Sequence, residues 1–172
     1  MRFPDRRFLL IPLLLLFIIP LNIYVIGDWI GTGVQWALFR YQDTLYGTSF
    51  ITLDRELWYI TSGLIMGKSA VSISLWVAGA VLLVISCIVL AVIIAEKMDT
   101  HIRIPGILVI ASGVLFLLSC MLQYGPLLSG PAGFSVPVGI PLVWAVGWLV
   151  YIQAEDDEIG DEEEGAEELR DE

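Results

Sequence analysis

The chain has 172 residues, 57% of them hydrophobic, with a mean hydropathy of +0.80 and a formal net charge of −10. Soluble domains average about 45–50% apolar residues, and here the excess falls in long uncharged runs, which excludes an ordinary soluble core and points to membrane spans. The charge is local: residues 155–172 hold twelve Asp/Glu against one Arg, so the acidity belongs to one tail and nucleic acid is not among the expected partners.

Arg2, Arg6 and Arg7 precede an apolar or uncharged run over residues 8–26. That run outlasts the apolar region of a cleaved signal peptide and ends in no Ala-x-Ala-like site, which predicts a signal-anchor span. Pro12 and Pro20 each remove a helix hydrogen bond, so a kink is expected, with Asn22 reaching toward a neighbouring helix.

Residues 27–69 form the one long stretch that is neither span nor charge run. Ile30, Val34, Ala37, Leu38, Tyr41 and Leu45 recur at helical spacing, with Gly31 and Gly33 weakening the start. A second helical pattern, Leu53, Leu57, Ile60 and Leu64, follows Thr52 as an N-cap, and Asp54 and Glu56 favour the positive end of that helix. Tyr46-Gly47-Thr48-Ser49 reads as the turn between them, with a short strand from Phe50 and Thr52 as the alternative. Arg40, Asp43, Arg55 and Glu56 are expected to be solvated or paired on exposed helix faces. Trp29, Trp36, Tyr41, Trp58 and Tyr59 are the candidate residues for contact with a partner or the membrane surface.

The second span is predicted over residues 70–95, with small pairs at Ser74/Ala78 and Ala91/Ala95 for close helix contact. A polar turn over 96–103 holds His101, the single histidine. The third span runs over 104–124, and a nine-residue stretch of Gly and Pro breakers leads to the fourth over 134–152. Pro141 should bend that last span, and Trp144, Trp148 and Tyr151 suit an interface belt. Cys87 and Cys120 fall at depths of about 12 and 24 Å, too far apart for a disulfide. Residues 153–172 are too acidic to bury a core and are expected to be a disordered cytoplasmic tail, able to meet a basic cytoplasmic partner.

The predicted fold is an all-α membrane protein: four transmembrane helices in a domain over 1–152, with a helical outer segment between the first and second spans. Arg2, Arg6, Arg7, Lys97 and Arg103 crowd the span ends on one side, which puts both termini in the cytoplasm and 27–69 outside. No charged residue falls within a span as drawn, there is no phosphate-binding glycine loop or zinc-ligand spacing, and no catalytic constellation assembles around His101. The expected function is therefore a non-catalytic structural or accessory membrane protein without cofactor or metal. Its partners would be the lipid bilayer and another membrane protein or a second copy of itself. The alternative is a small oligomeric channel or transporter lined by Asn22, Ser112, Ser119 and Gln123.

Overall fold

The computed structural model describes residues 6–96 and 103–153. The His101 turn and the acidic tail lie outside the described residues. The fold is not the all-α four-span bundle: an antiparallel sheet of six strands packs beside a pair of long apolar helices.

The N-terminal run breaks early. A 3-10 turn, Arg6–Leu9, leads into a one-and-a-half-turn helix, α1 (Leu10–Leu15), and the chain then turns through Pro20 into strand β1 (Asn22–Ile26). Pro20 cannot supply a helical N–H, and the Asn-Ile-Tyr-Val-Ile that follows is rich in residues suited to a pleated strand. The segment expected to be an outer helical pair is mostly sheet. Strands β2 (Gly31–Gln35), β3 (Phe39–Thr44) and β4 (Gly47–Thr52) continue from β1 as an antiparallel meander. Only α2 (Leu53–Thr61) keeps the predicted helix, starting after Thr52 as the spacing implies.

The second and third predicted spans coincide closely with two long helices, α3 (Gly67–Glu96) and α4 (Arg103–Tyr124), both long and apolar enough to cross a membrane. At 1.5 Å per residue they run about 45 and 33 Å. Of their most apolar 18 residues, 33% in α3 and 44% in α4 are buried, so much of each apolar surface faces outward. The last run also begins as sheet: β5 (Ser129–Gly130) and β6 (Gly133–Val136) precede a shorter helix, α5 (Ile140–Gln153). At about 21 Å it falls short of the ~30 Å hydrocarbon core, as α1 does. The first and fourth predicted spans are thus replaced by short helices joined to strands.

Strand order is β4-β3-β2-β1-β6-β5. β6 pairs with β1 in the register Tyr24↔Ser135, although more than a hundred residues separate them. A core of Leu13, Leu16, Leu83, Phe116, Ile140 and Val143 ties the helices together beneath the sheet. Helices α4 and α5 meet at two glycines. A Cβ on Gly106 would stand 2.9 Å from the Gly147 carbonyl oxygen, and one on Gly147 would stand 3.1 Å from that of Gly106, so neither tolerates a side chain at this crossing.

The seam between α3 and α4 does not use the predicted small pairs, since Ser74, Ala78, Ala91 and Ala95 are exposed. It uses Ser72, Gly79 and Ser86, spaced by seven, against Ser119, Ser112 and Pro105. Each level carries a hydroxyl-to-carbonyl bond: Ser72 Oγ to Ser119 O at 2.9 Å, Ser112 Oγ to Gly79 O at 2.8 Å and Ser86 Oγ to Pro105 O at 2.9 Å.

Candidate functional site: a polar cavity behind an inverted sheet

Strand pairing sorts side chains onto two faces, because successive residues of a strand point opposite ways. One face holds Asn22, Tyr24, Gln35, Arg40, Gln42 and Ser135 together with Ile51; the other holds Ile23, Val25, Val34, Tyr41, Phe50, Phe134 and Val136, with Thr32, Asp43 and Thr48 at its β2–β4 end. A half-buried antiparallel sheet ordinarily turns its apolar face inward. Here the polar face lies against α3 and α4, and Ile23, Tyr41, Phe50, Phe134 and Val136 are exposed on the other.

The polar face and the helices line a partly open cavity of about 410 Å³. Asn22, Gln35 and Arg40 come from the sheet, Ser69 and Trp76 from α3, and Gln123 from α4, with Leu64, Ile65 and Met66 at its edge. Asn22 is 1% exposed, and its Oδ1 accepts a bond from Ser135 Oγ at 2.7 Å. The Trp76 indole N–H points toward the backbone carbonyls of Trp36 and Ala37, each at 3.3 Å, which pins α3 to the corner between β2 and β3. Tyr24 lies across β2, where Gly33 leaves room for it: a Cβ there would run into the phenol ring.

The charged centre of this region is an ion pair. Arg40 Nε stands 2.7 Å from Glu56 Oε1, and Glu56 is 4% exposed. Its second oxygen, Oε2, is buried without a hydrogen-bond partner among the described residues. Burial pushes the Glu56 carboxyl above its ordinary range, and the Arg40 charge opposes that rise without cancelling it. The Tyr24 phenol is raised by burial as well; it donates to Gln42 Oε1 at 3.3 Å and interacts with Arg40. Arg40 and Glu56 are therefore paired, one of the two arrangements expected, but in a buried site between a strand and a helix and not on exposed helix faces.

Helix α2 is inverted in the same sense. It buries Glu56 and exposes Leu57 and Trp58, and Leu64 beyond its end is exposed too. Thr52 occupies the N-cap position but makes no capping bond; its side chain instead bonds Asp54, which lowers that carboxyl.

The five aromatic residues singled out as contact candidates separate. Trp29, 70% exposed, sits at the β1–β2 turn with φ +60° and its ring edge-on to Phe134 at 5.9 Å. The neighbouring β3–β4 turn adds Leu45 and Tyr46, 82% and 94% exposed, and the Leu45 N–H bonds the Ile30 carbonyl to join the two turns. Tyr41 lies on the exposed apolar face. Trp58 is exposed on α2 and Tyr59 half-buried beside it, ring centres 5.5 Å apart. Trp36 holds the fold together, its indole N–H donating to Ile18 O at 2.9 Å and its ring stacking on Phe39 at 4.8 Å.

Of the four polar residues considered for a transport path, Asn22, Ser119 and Gln123 line the cavity, while Ser112 is bonded to Gly79 in the helix seam. Missed from sequence were Gln35, Arg40 and Glu56 as inward-facing groups. The signal that could have found Arg40 is the alternation Phe39-Arg40-Tyr41-Gln42, which has a period of two. Cys87 and Cys120 are free thiols, and no group of three His, Cys, Asp or Glu capable of holding a metal occurs among the described residues. No protein-family model matches the chain, and no curated protein matches it either.

Proposed function

We propose that this chain is a non-catalytic membrane protein. In this reading α3 and α4 cross the bilayer as an antiparallel hairpin, and the sheet is a contact module for another membrane protein on the outer side. The observation that carries the reading is the inverted sheet: Ile23, Tyr41, Phe50 and Val136 are exposed on one face while Asn22, Gln35, Arg40 and Ser135 turn inward. Exposed apolar surface of this extent on a folded domain marks a contact site. The aromatic tip at Trp29, Leu45 and Tyr46 extends the same surface, and Tyr and Trp are favoured in such positions.

A basic residue supplies the orientation. Arg103 stands at the start of α4, the end of that helix remote from the sheet, so the positive-inside bias favours that end in the cytoplasm and the sheet outside.

A photo-crosslinking residue placed at Phe50 or Tyr41 tests the proposal in native membranes, with Trp148 as the comparison site. A discrete adduct with another polypeptide from Phe50 and Tyr41, absent from Trp148, is the expected result. Lipid adducts alone from all three positions would overturn the contact module. Labelling of a single cysteine at Thr48 in intact cells tests orientation; protection there until the cells are opened would reverse it.

A further inference from the structure

We infer that the cavity behind the sheet is a binding site for a monoanionic phosphodiester, held by the terminal nitrogens of Arg40. Among the described residues Arg40 is the only charged side chain lining it, and no carboxylate does. Glu56 engages the guanidinium at Nε and faces the adjoining smaller void instead of the cavity. The ion pair and the Tyr24 phenol hold the guanidinium in place, and its remaining Nη hydrogens are the part suited to binding a phosphate oxygen pair. Arg40 is the one cation at the cavity and Glu56 offsets part of its charge, so nothing there answers the second charge of a dianion and a single negative charge is the better fit.

Hydrogen-bond donors surround that position. The side-chain amides of Gln35 and Gln123 take part in no protein hydrogen bond among the described residues. With its Oδ1 occupied by Ser135, Asn22 has its Nδ2 group to offer. Ser69 stands in the first turn of α3, a 30-residue helix with no acidic residue in that turn to answer its positive end. The C-terminal carbonyls of α4, which would repel an anion, are partly engaged: Ser119 O accepts from Ser72, and Met121 O from the Gly125 N–H.

The volume falls within the ~300–1,000 Å³ of ordinary ligand pockets. Leu64, Ile65 and Met66 at the edge give an apolar lip where acyl chains would leave the site. A phospholipid headgroup and a soluble phosphodiester share the chemistry of the site. The lipid source rests on the membrane reading above, whereas the soluble source does not.

The test is thermal unfolding of the full chain in a neutral detergent, titrated with dihexanoylphosphatidylglycerol or with dimethyl phosphate; dihexanoylglycerol is the uncharged control. A ligand that binds only the folded state raises the midpoint saturably. The expected result is saturation by the short-chain lipid at a concentration at least tenfold below that needed for dimethyl phosphate. Equal potency of the two would keep the oxyanion site and identify the source as soluble. Arg40→Lys, which retains the charge opposite Glu56 but loses the fork, should weaken binding about tenfold. Ser69→Phe and Gln123→Leu leave the ion pair untouched and should each weaken it about fivefold, so the inference stays testable if the Arg40 variant does not fold. Three results would overturn it: no saturable shift with either phosphodiester, an equal shift with dihexanoylglycerol, or unchanged affinity in both Ser69→Phe and Gln123→Leu.

Discussion

Ser72 and Ser119 exchange hydrogen bonds across the α3–α4 crossing: Ser119 Oγ donates to Ser72 O at 2.7 Å, Ser72 Oγ to Ser119 O at 2.9 Å, and the two hydroxyl oxygens lie 3.0 Å apart. The reciprocity requires the helix backbones to approach closely, which only small residues allow. Repetition at Gly79–Ser112 and Ser86–Pro105 makes the crossing a continuous seam.

Alanine at Ser72 or Ser119 removes hydrogen bonds without adding bulk. Each single substitution is expected to cost about 0.6 kcal/mol, the usual scale for such bonds between apolar helices. Leucine at Ser112, by contrast, forces the backbones apart and should cost about 1–3 kcal/mol. Reversible unfolding in mixed detergent micelles compares them; equal losses for S72A and S112L would mean that close approach is not what the serines provide.

Glu56 gives the fold a pH dependence of definite sign. Its carboxyl is raised in the folded state, so the folded chain holds that proton more tightly than the unfolded chain does. Its contribution to stability is complete below the unfolded value and is lost as pH rises through the raised folded value. Subtracting the stability profile of Glu56→Gln from that of the unaltered chain should reveal this fall. A difference that grows with pH would show that Arg40 dominates over burial.

Removing one partner of the ion pair is a separate matter. Arg40→Met leaves a buried carboxylate unpaired and should cost about 3 kcal/mol or more, while Arg40→Met with Glu56→Leu should recover most of the loss. Denaturation of the three chains side by side decides it. Equal stability of the single and double variants would mean that the unpaired charge is not the source of the loss.

Gly33→Ala tests the packing of Tyr24 on β2. The added methyl group meets the phenol ring, and a loss of about 1–3 kcal/mol is expected. Tyr24→Phe keeps the ring and gives up one 3.3 Å hydrogen bond to Gln42, for which about 0.5–1.5 kcal/mol is the usual scale. Chemical denaturation of both variants is the measurement.

On the outward face the prediction is a separation of effects. Phe50→Ser and Tyr41→Ser remove half-exposed rings that pair across β3 and β4, with Phe50 also on Phe39 at 5.0 Å, so each should cost about 1 kcal/mol and leave the chain folded. The same pair should abolish the polypeptide adduct formed from a crosslinker at Trp29. Loss of the adduct together with loss of folding would argue that the face is part of the core.

The parts of this fold legible in the sequence are those governed by local composition. Residues 70–95 and 104–124 were assigned within a few residues of α3 and α4 because an uncharged run of that length has few other structures open to it. Thr52 followed by Leu53, Leu57 and Ile60 likewise marked α2. What it did not reveal is which way that helix faces, since Glu56 finds its counter-charge on Arg40, a strand away in sequence. The strands were hidden for a related reason. Asn22 to Ile26 is apolar enough to prolong a span, and its partners on β6 lie far along the chain, beyond any local window. The spacing of Ile30, Val34, Ala37 and Tyr41 suits a helix, yet Val34 and Tyr41 are direct cross-strand neighbours. The cavity is not legible in the sequence because its polar groups come from strands whose apolar spacing also suits a helix.

The pairing of β1 with β6 also orders the assembly of the chain in time. β1 gains β2 from the adjacent hairpin, but its other edge stays open until both long helices and the turn after Tyr124 have been synthesised. Such long-range pairing forms late, because the loop must close before the contact repays it. Completion of the sheet thus depends on the helices: a chain in which either long helix had failed to take its place would carry an unpaired β1 edge, a site open to aggregation.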